Sequence, residues 1–353
     1  MLYIINGALQ RLRNWSGSLD ILMLTNQSTL SNPYDNDNII LFGIRMGNNN
    51  DRTTHILNIL ENLMDYPKGH KKITRWSNPE FLKNGIVGMI CLDKDYMIVL
   101  DRTSCSVILI NIHGNPISSY GFKCLPWAMT LYDNNSVAVS IPGENKIIFV
   151  AVEFNDFVYK KEINCSVEPS GITGGHGVIY ITSYPWSSKA AVSKLSEDGN
   201  VDTKLDKDQS NQPLFKAPLD IVLDKESGDI FVCDSGLKMV LAFDMNLQEK
   251  FRINLEDMKH PSCLTLDSQG DVFICEKLLN VIYKITTAEQ TGRVVFTVVD
   301  GLSRPQAICN IPSENALCVL CAKDNVFRIL KVSLLLFSLI NTSHFKGGAR
   351  IIV

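Results

Sequence analysis

From about residue 84 onward the chain alternates short apolar runs with turn-forming clusters, and the alternation repeats. In Pro218-Leu-Asp-Ile-Val-Leu-Asp224 an apolar run leads into the turn Lys225-Glu-Ser-Gly228, which leads into a second run, Gly228-Asp-Ile-Phe-Val-Cys-Asp234. Apolar runs of this length bounded by Gly, Asp and Ser read as β-strands. The second run aligns without gaps on Gly270-Asp-Val-Phe-Ile-Cys-Glu276, and Asp95-Tyr-Met-Ile-Val-Leu-Asp101 fits the same frame. Pro126, Pro169, Pro218, Pro261 and Pro305 open such segments at intervals of 43, 49, 43 and 44 residues, and the frame places an earlier start near Asn84, 42 residues before Pro126. Six copies of a short-strand unit at a period of roughly 40 to 50 residues predict an all-β fold, a six-bladed β-propeller with one blade per repeat.

Each repeat supplies four antiparallel strands, lettered a to d from the central channel outward. In the fourth repeat these are a over Ile221–Leu223, b over Ile230–Cys233, c over Val240–Phe243 and d near Phe251–Leu255. Because strands alternate in direction, the b-to-c and d-to-a loops of every blade emerge on one face of the disc. The a-to-b and c-to-d loops emerge on the other. On the first face this rule assembles Arg102, Trp127, Tyr184, Trp186, Lys238, His260, Lys277 and Arg304. Trp, Tyr and Arg dominate protein recognition hot spots, so this face is the expected partner-binding surface. Trp127 and Trp186 flank prolines, and packing at the blade junctions is the alternative use for them.

The domain plan is a short mixed N-terminal extension over residues 1–83, the propeller over 84–340 and a tail over 341–353. Within the extension, Ile56, Leu60, Leu63 and Met64 fall on one face of an amphipathic helix near residues 53–65, behind a Thr cap. Ile39–Ile44 reads as a strand, and the basic stretch Lys68-Gly-His-Lys-Lys-Ile-Thr-Arg75 as a solvated linker. Propellers protect the last blade by pairing in a strand from the opposite terminus. Here residues 73–76 stand directly before the first strand a, in the d position of the cycle, and are preferred for that role to residues 333–340.

The chain has 353 residues, 45% of them hydrophobic, and a net charge of −3. Between residues 84 and 332 there are 23 Lys and Arg against 30 Asp and Glu. That excess of acid disfavours partners held by their phosphates, so a protein substrate or adaptor is preferred to RNA, and neither DNA nor a membrane is expected. Most of the ten cysteines sit inside apolar strand runs and read as reduced, small hydrophobes. The N-terminus lacks the basic and apolar regions of a signal peptide, which points to a cytoplasmic address and makes Asn-x-Ser sequons such as Asn14-Trp-Ser16 and Asn164-Cys-Ser166 chance matches. The apolar run from Val332 to Ile340 is far shorter than the roughly 20 residues a membrane span needs.

The pattern Pro-x-x-Ile-x-x-Asp, Gly-Asp-Ile-Phe-Val-x-Asp, Val-x-x-Phe-Asp resembles the NHL repeat. The segments Leu92-Asp-Lys-Asp-Tyr-Met-Ile-Val-Leu-Asp101, Ser183-Tyr-Pro-Trp-Ser-Ser188 and Phe243-Asp-Met-Asn-Leu-Gln-Glu-Lys-Phe251 are similar to the C-terminal propellers of tripartite-motif proteins. In that family, the resemblance implies, a zinc-binding RING recruits the ubiquitin machinery, a coiled coil dimerises, and the propeller selects a protein substrate or an RNA. This chain departs from the full pattern. A RING needs eight Cys or His ligands in paired spacings, and residues 1–83 hold no cysteine and only His55 and His70. The expectation is therefore a non-catalytic recognition arm, with RNA binding as the first alternative and a calcium-dependent propeller hydrolase as the second.

Neither catalytic residue, metal nor cofactor is expected. The lone Cys-x-x-Cys, Cys318-Val-Leu-Cys321, lies in a strand, where residues three apart point to opposite faces. Asp93, Asp224 and Asp267 close strand a in three blades only, and Asp101, Asp234 and Glu276 close strand b in three. Both sets read as carboxylates bonded to nearby backbone N–H groups. His113, His176 and His260 occupy turn-like contexts with no accompanying Ser and Asp order.

Overall fold

A computed structural model describes residues 20–24, 41–45, 74–77 and 85–331, except 176, 184–189, 256 and 324–325. The helix expected near residues 53–65, Tyr184, Trp186 and the tail over 341–353 lie outside the described residues. The repeats fold into six four-stranded antiparallel sheets that form a six-bladed β-propeller. Blade 1 is built from Ile86–Cys91, Tyr96–Asp101, Ser106–Asn111 and Pro116–Gly121, and blade 4 from Pro218–Leu223, Ile230–Asp234, Met239–Phe243 and Glu249–Asn254. In blade 6 strands a, b and c are Pro305–Ile311, Ala316–Cys321 and Val326–Lys331, and the fourth position is taken by Thr74–Ser77, with Val326 opposite Ser77 and Ile329 opposite Thr74. Residues 67–333 make up this unit. In a separate unit Asp20–Leu24 pairs antiparallel with Leu41–Arg45. Among the described residues no helix is long and apolar enough to cross a membrane.

Burial along the strands follows their place in the blade. Strand b is buried at every position in blades 2, 4, 5 and 6, because both its faces meet neighbouring blades. Strand d of blade 1 is mostly exposed, with solvent beyond it. The buried side chains fall into six clusters, one at each blade junction. Ile86, Met97 and Val99 of blade 1 meet Ala307, Cys318 and Phe327 of blade 6 in one cluster, and Phe231 and Val240 of blade 4 meet Val272 and Tyr283 of blade 5 in another. Burying each such large side chain contributes about 1.5–3 kcal/mol, and no blade can obtain this without its neighbours.

The 49-residue interval between Pro169 and Pro218 has a local cause. The d-to-a connection before blade 4 carries an extra hairpin-like turn, in which Lys207 bridges Pro213 and the Asp208 carboxylate accepts from the N–H groups of Ser210 and Gln212 at 2.8 and 2.9 Å.

Cys318 and Cys321 join clusters on opposite faces of their strand, and all ten cysteines are free thiols. Burial pushes the Cys91 thiol up to about 12 and that of Cys165 to about 11, so neither forms a thiolate near neutral pH.

A belt of polar bonds stitches the innermost strands together around the channel. Thr173 Oγ1 accepts from Leu223 N at 2.9 Å between blades 3 and 4, and Asp220 Oδ2 accepts from Leu264 N at 2.7 Å between blades 4 and 5. Thr265 Oγ1 accepts from Asn310 N at 3.2 Å, and Gln306 Nε2 donates to Ile86 O at 2.6 Å, which closes blade 6 onto blade 1. Each bond satisfies a backbone group that strand a cannot pair within its own sheet.

Asp220 is the ionisable member of this belt, and burial pushes its carboxyl up to about 6 despite the N–H groups it accepts from. Its folded pKa lies above the unfolded value near 3.9. The stability it contributes is therefore complete below about pH 4 and is lost as pH rises through 6. Asp220→Asn, which cannot ionise, should remove this dependence. Between pH 4 and 7 the natural chain is expected to lose ~1–2 kcal/mol relative to the variant, less than a two-unit shift would imply because Asp220 keeps some exposure to the channel. Denaturant midpoints measured across that range would show parallel profiles if this assignment were wrong.

Candidate functional site

The acids that close strand b set the shape of the face carrying the b-to-c and d-to-a loops. Asp234 is fully buried. Its Oδ1 accepts from Ala217 N, Gly236 N and Leu237 N, each at 2.9 Å, and its Oδ2 from Lys216 N at 2.7 Å. Glu276 does the same in blade 5, accepting from Lys259 N, His260 N and Leu278 N at 2.7, 2.6 and 2.9 Å. Asp101 accepts from Thr103 N at 2.8 Å and from Ser104 Oγ at 2.9 Å. These carboxylates are structural, and in blades 4 and 5 they clasp the b-to-c loop to the preceding d-to-a loop. On the opposite face Asp93, Asp224 and Asp267 each accept backbone N–H groups of their own a-to-b turns. Among the described residues no group of three or more His, Cys, Asp or Glu converges to hold a metal ion.

Several residues expected on the partner face come together in pairs. Arg102, from the b-to-c loop of blade 1, lays its guanidinium over the Trp127 ring, Cζ 4.6 Å from the centroid, and both side chains are half-buried. Trp127 is thus neither packed away nor freely exposed, since the cation covers one face of the indole. Such a stack contributes about 0.5–1 kcal/mol at a wet site and holds both groups in place. Lys238 and His260 are exposed and stand apart. His113 lies on the opposite face from His260.

Lys277 and Arg304 form the second pair, at the mouth of a hollow of about 430 Å³ between blades 5 and 6. Lys323, Leu278 and Val298 also line it, and sequence reasoning missed all three. Burial, and then the nearby Arg304 guanidinium, hold the Lys277 ammonium below the usual lysine range. A wider hollow of about 660 Å³ on the opposite face lies between the a-to-b loops of blades 4 and 5. Its carboxylates Asp224 and Asp267 are engaged by their own turns, and Glu226 also lines it.

Charge separates between the two faces of the disc. The described b-to-c and d-to-a loops carry nine Lys or Arg and six Asp or Glu, whereas the a-to-b and c-to-d loops carry two and thirteen. The net acidity of the propeller therefore resides on the far face. It does not count against anionic partners on the near one.

No family model matches this sequence, and no curated protein matches it. Solved structures do. A streptogramin B lyase shares 16% identity over 76% of this chain and 90% of its own, with a TM-score of 0.53. A protein of unknown function from Bacteroides thetaiotaomicron shares 10% identity over 75% of this chain and 73% of its own, with a TM-score of 0.55. The β-propeller domain of Cps50 (Swd1) from Myceliophteria thermophila shares 10% over 70% and 84%, with a TM-score of 0.51. At these identities the likenesses show the β-propeller fold alone. The tripartite-motif resemblance rests on the sequence segments.

Proposed function

We propose that the chain is a non-catalytic interaction propeller that holds a protein partner on the face of the b-to-c and d-to-a loops. In terms of the tripartite-motif resemblance, it serves as a substrate-recognition arm. The observation that carries this reading is the Arg102–Trp127 stack, a preformed aromatic and cationic anchor on the face where the basic loops gather. Arg and Trp are the residue types whose loss most often abolishes a protein interface. A side chain already fixed in place has little ordering entropy left to lose on binding.

RNA is the competing partner for a basic face. It is disfavoured because stacking sites for bases need open aromatic surfaces, and the Trp127 ring is partly covered by Arg102. The Arg102→Ala substitution should lower affinity for the protein partner about thirtyfold, ~2 kcal/mol, with a melting curve close to that of the natural chain. Titration calorimetry on both proteins checks this. Unchanged affinity, or tight salt-sensitive binding to single-stranded RNA that the same substitution abolishes, would overturn the reading.

A further inference from the structure

We propose that the hollow between blades 5 and 6 binds an acidic peptide segment, taking its carboxylates on Lys277, Arg304 and Lys323 and an adjacent aliphatic side chain between Leu278 and Val298. This deepens the assignment of the face as protein-binding and rests on it. Three cations border one hollow, and among the described residues no carboxylate pairs with any of them. Among the described residues Lys277 Nζ finds only the neutral Gln306 Oε1, at 3.3 Å. Gathering like charges with no counterion between them is costly, and an anionic ligand relieves the cost.

The hollow is built rather than incidental. Glu276 pins the turn that carries Lys277 and Leu278. The d-to-a loop is fixed by Asn280, whose Oδ1 accepts from Arg304 N at 2.6 Å and holds Arg304 at a left-handed φ of 52° that a residue of its bulk rarely adopts. Leu302 anchors the loop beneath, buried in the junction of blades 5 and 6. Gln306 in turn donates to the Ile86 carbonyl, so the lysine is positioned from blade 1 as well. A cleft held in this way loses little entropy on filling.

The apolar rim decides between ligand classes. Leu278 and Val298 are 57% and 58% exposed, far more than large aliphatic side chains usually are. Among the described residues no aromatic ring lines the hollow, so these residues offer bases nothing to stack on. An extended peptide with Asp or Glu next to Leu, Ile or Val satisfies both the cations and the aliphatic rim, and Arg304 supplies the planar fork that carboxylates take in two parallel bonds.

The test pans a phage-displayed random dodecapeptide library on the full chain and measures fluorescein-labelled versions of the enriched sequences by anisotropy. Enriched peptides are expected to place Asp or Glu beside an aliphatic residue. They should lose at least ~tenfold in affinity when their acids become Asn or Gln, and equally when the protein carries Lys277→Gln with Arg304→Gln. Enriched peptides lacking acids, affinities indifferent to the double substitution, a panning that yields nothing, or a labelled decauridylate whose binding disappears in the double variant while peptides do not bind would each overturn the proposal. Partner affinity lost in Arg102→Ala but kept in the double variant would leave the face reading standing and remove the pocket from it. Pocket-dependent peptide binding with partner affinity indifferent to both sets would do the reverse.

Discussion

Replacing Asp234 with alanine is expected to cost ~4–6 kcal/mol of folding free energy, a large part of the ~5–15 kcal/mol that a domain has in total. The carboxylate accepts four backbone N–H bonds and is fully buried. A buried donor left without an acceptor costs about 1–3 kcal/mol, and bonds to a charged acceptor are the stronger kind. Asparagine should fall between, because its single oxygen can retain the three bonds made by Oδ1 while its NH₂ group faces the N–H of Lys216. Asp229→Ala is the contrast. That residue forms an exposed pair with Lys250, so its loss should cost no more than about 1 kcal/mol. Denaturant midpoints of the three variants measure this directly, and an Asp234→Ala loss below 1 kcal/mol would mean that the clasp is not what fixes these loops.

The second large effect concerns ring closure. Strand c of blade 6 is covered on its outer edge by Thr74–Ser77. Removing residues 1–80 should uncover that edge, with its Phe327 and Ile329 packed just behind. The loss of four ladder positions at ~0.5–1.5 kcal/mol each amounts to roughly 4 kcal/mol. An unpaired edge also recruits other strands, so the truncated chain should self-associate with rising concentration. A finer test separates Arg75→Pro from Trp76→Pro. Neighbouring residues in a strand send their N–H groups to opposite sides, so only one of the two prolines removes a bond to strand c. Equal midpoints for both variants and the natural chain would contradict the pairing.

The six-fold architecture was legible because it depends on local and periodic features: a proline opening five of the six repeats, an apolar run, a turn, and the Gly-Asp-Ile-Phe-Val-Cys-Asp type of strand b. Loop placement followed from strand alternation, which is why Arg102 and Trp127, and Lys277 and Arg304, could be assigned to one face before their contacts were known. The contacts themselves were not legible. Asp234 reads locally as a turn residue, yet two of its four bonds reach back to Lys216 and Ala217 in a loop that the preceding blade delivers. Asp220 resembles any acid in a strand until the next blade brings Leu264 N to its carboxylate. Charge polarity was hidden for a different reason. Loops of the two faces alternate along the chain, so a net count averages the acidic face with the basic one. The pairing of Asp20–Leu24 with Leu41–Arg45 joins two short runs across a stretch whose composition gives no register.

The function proposed for this chain depends on which face of the disc meets a partner. The most direct measurement is partner affinity for two matched variants: Arg102→Ala with Trp127→Phe on the basic face, and Glu226→Gln with Met245→Ala on the acidic face, each with its melting curve. A loss of about thirtyfold or more is expected for the first and no change for the second. Affinity lost only on substitution of Glu226 and Met245 would place the partner on the opposite face and contradict it.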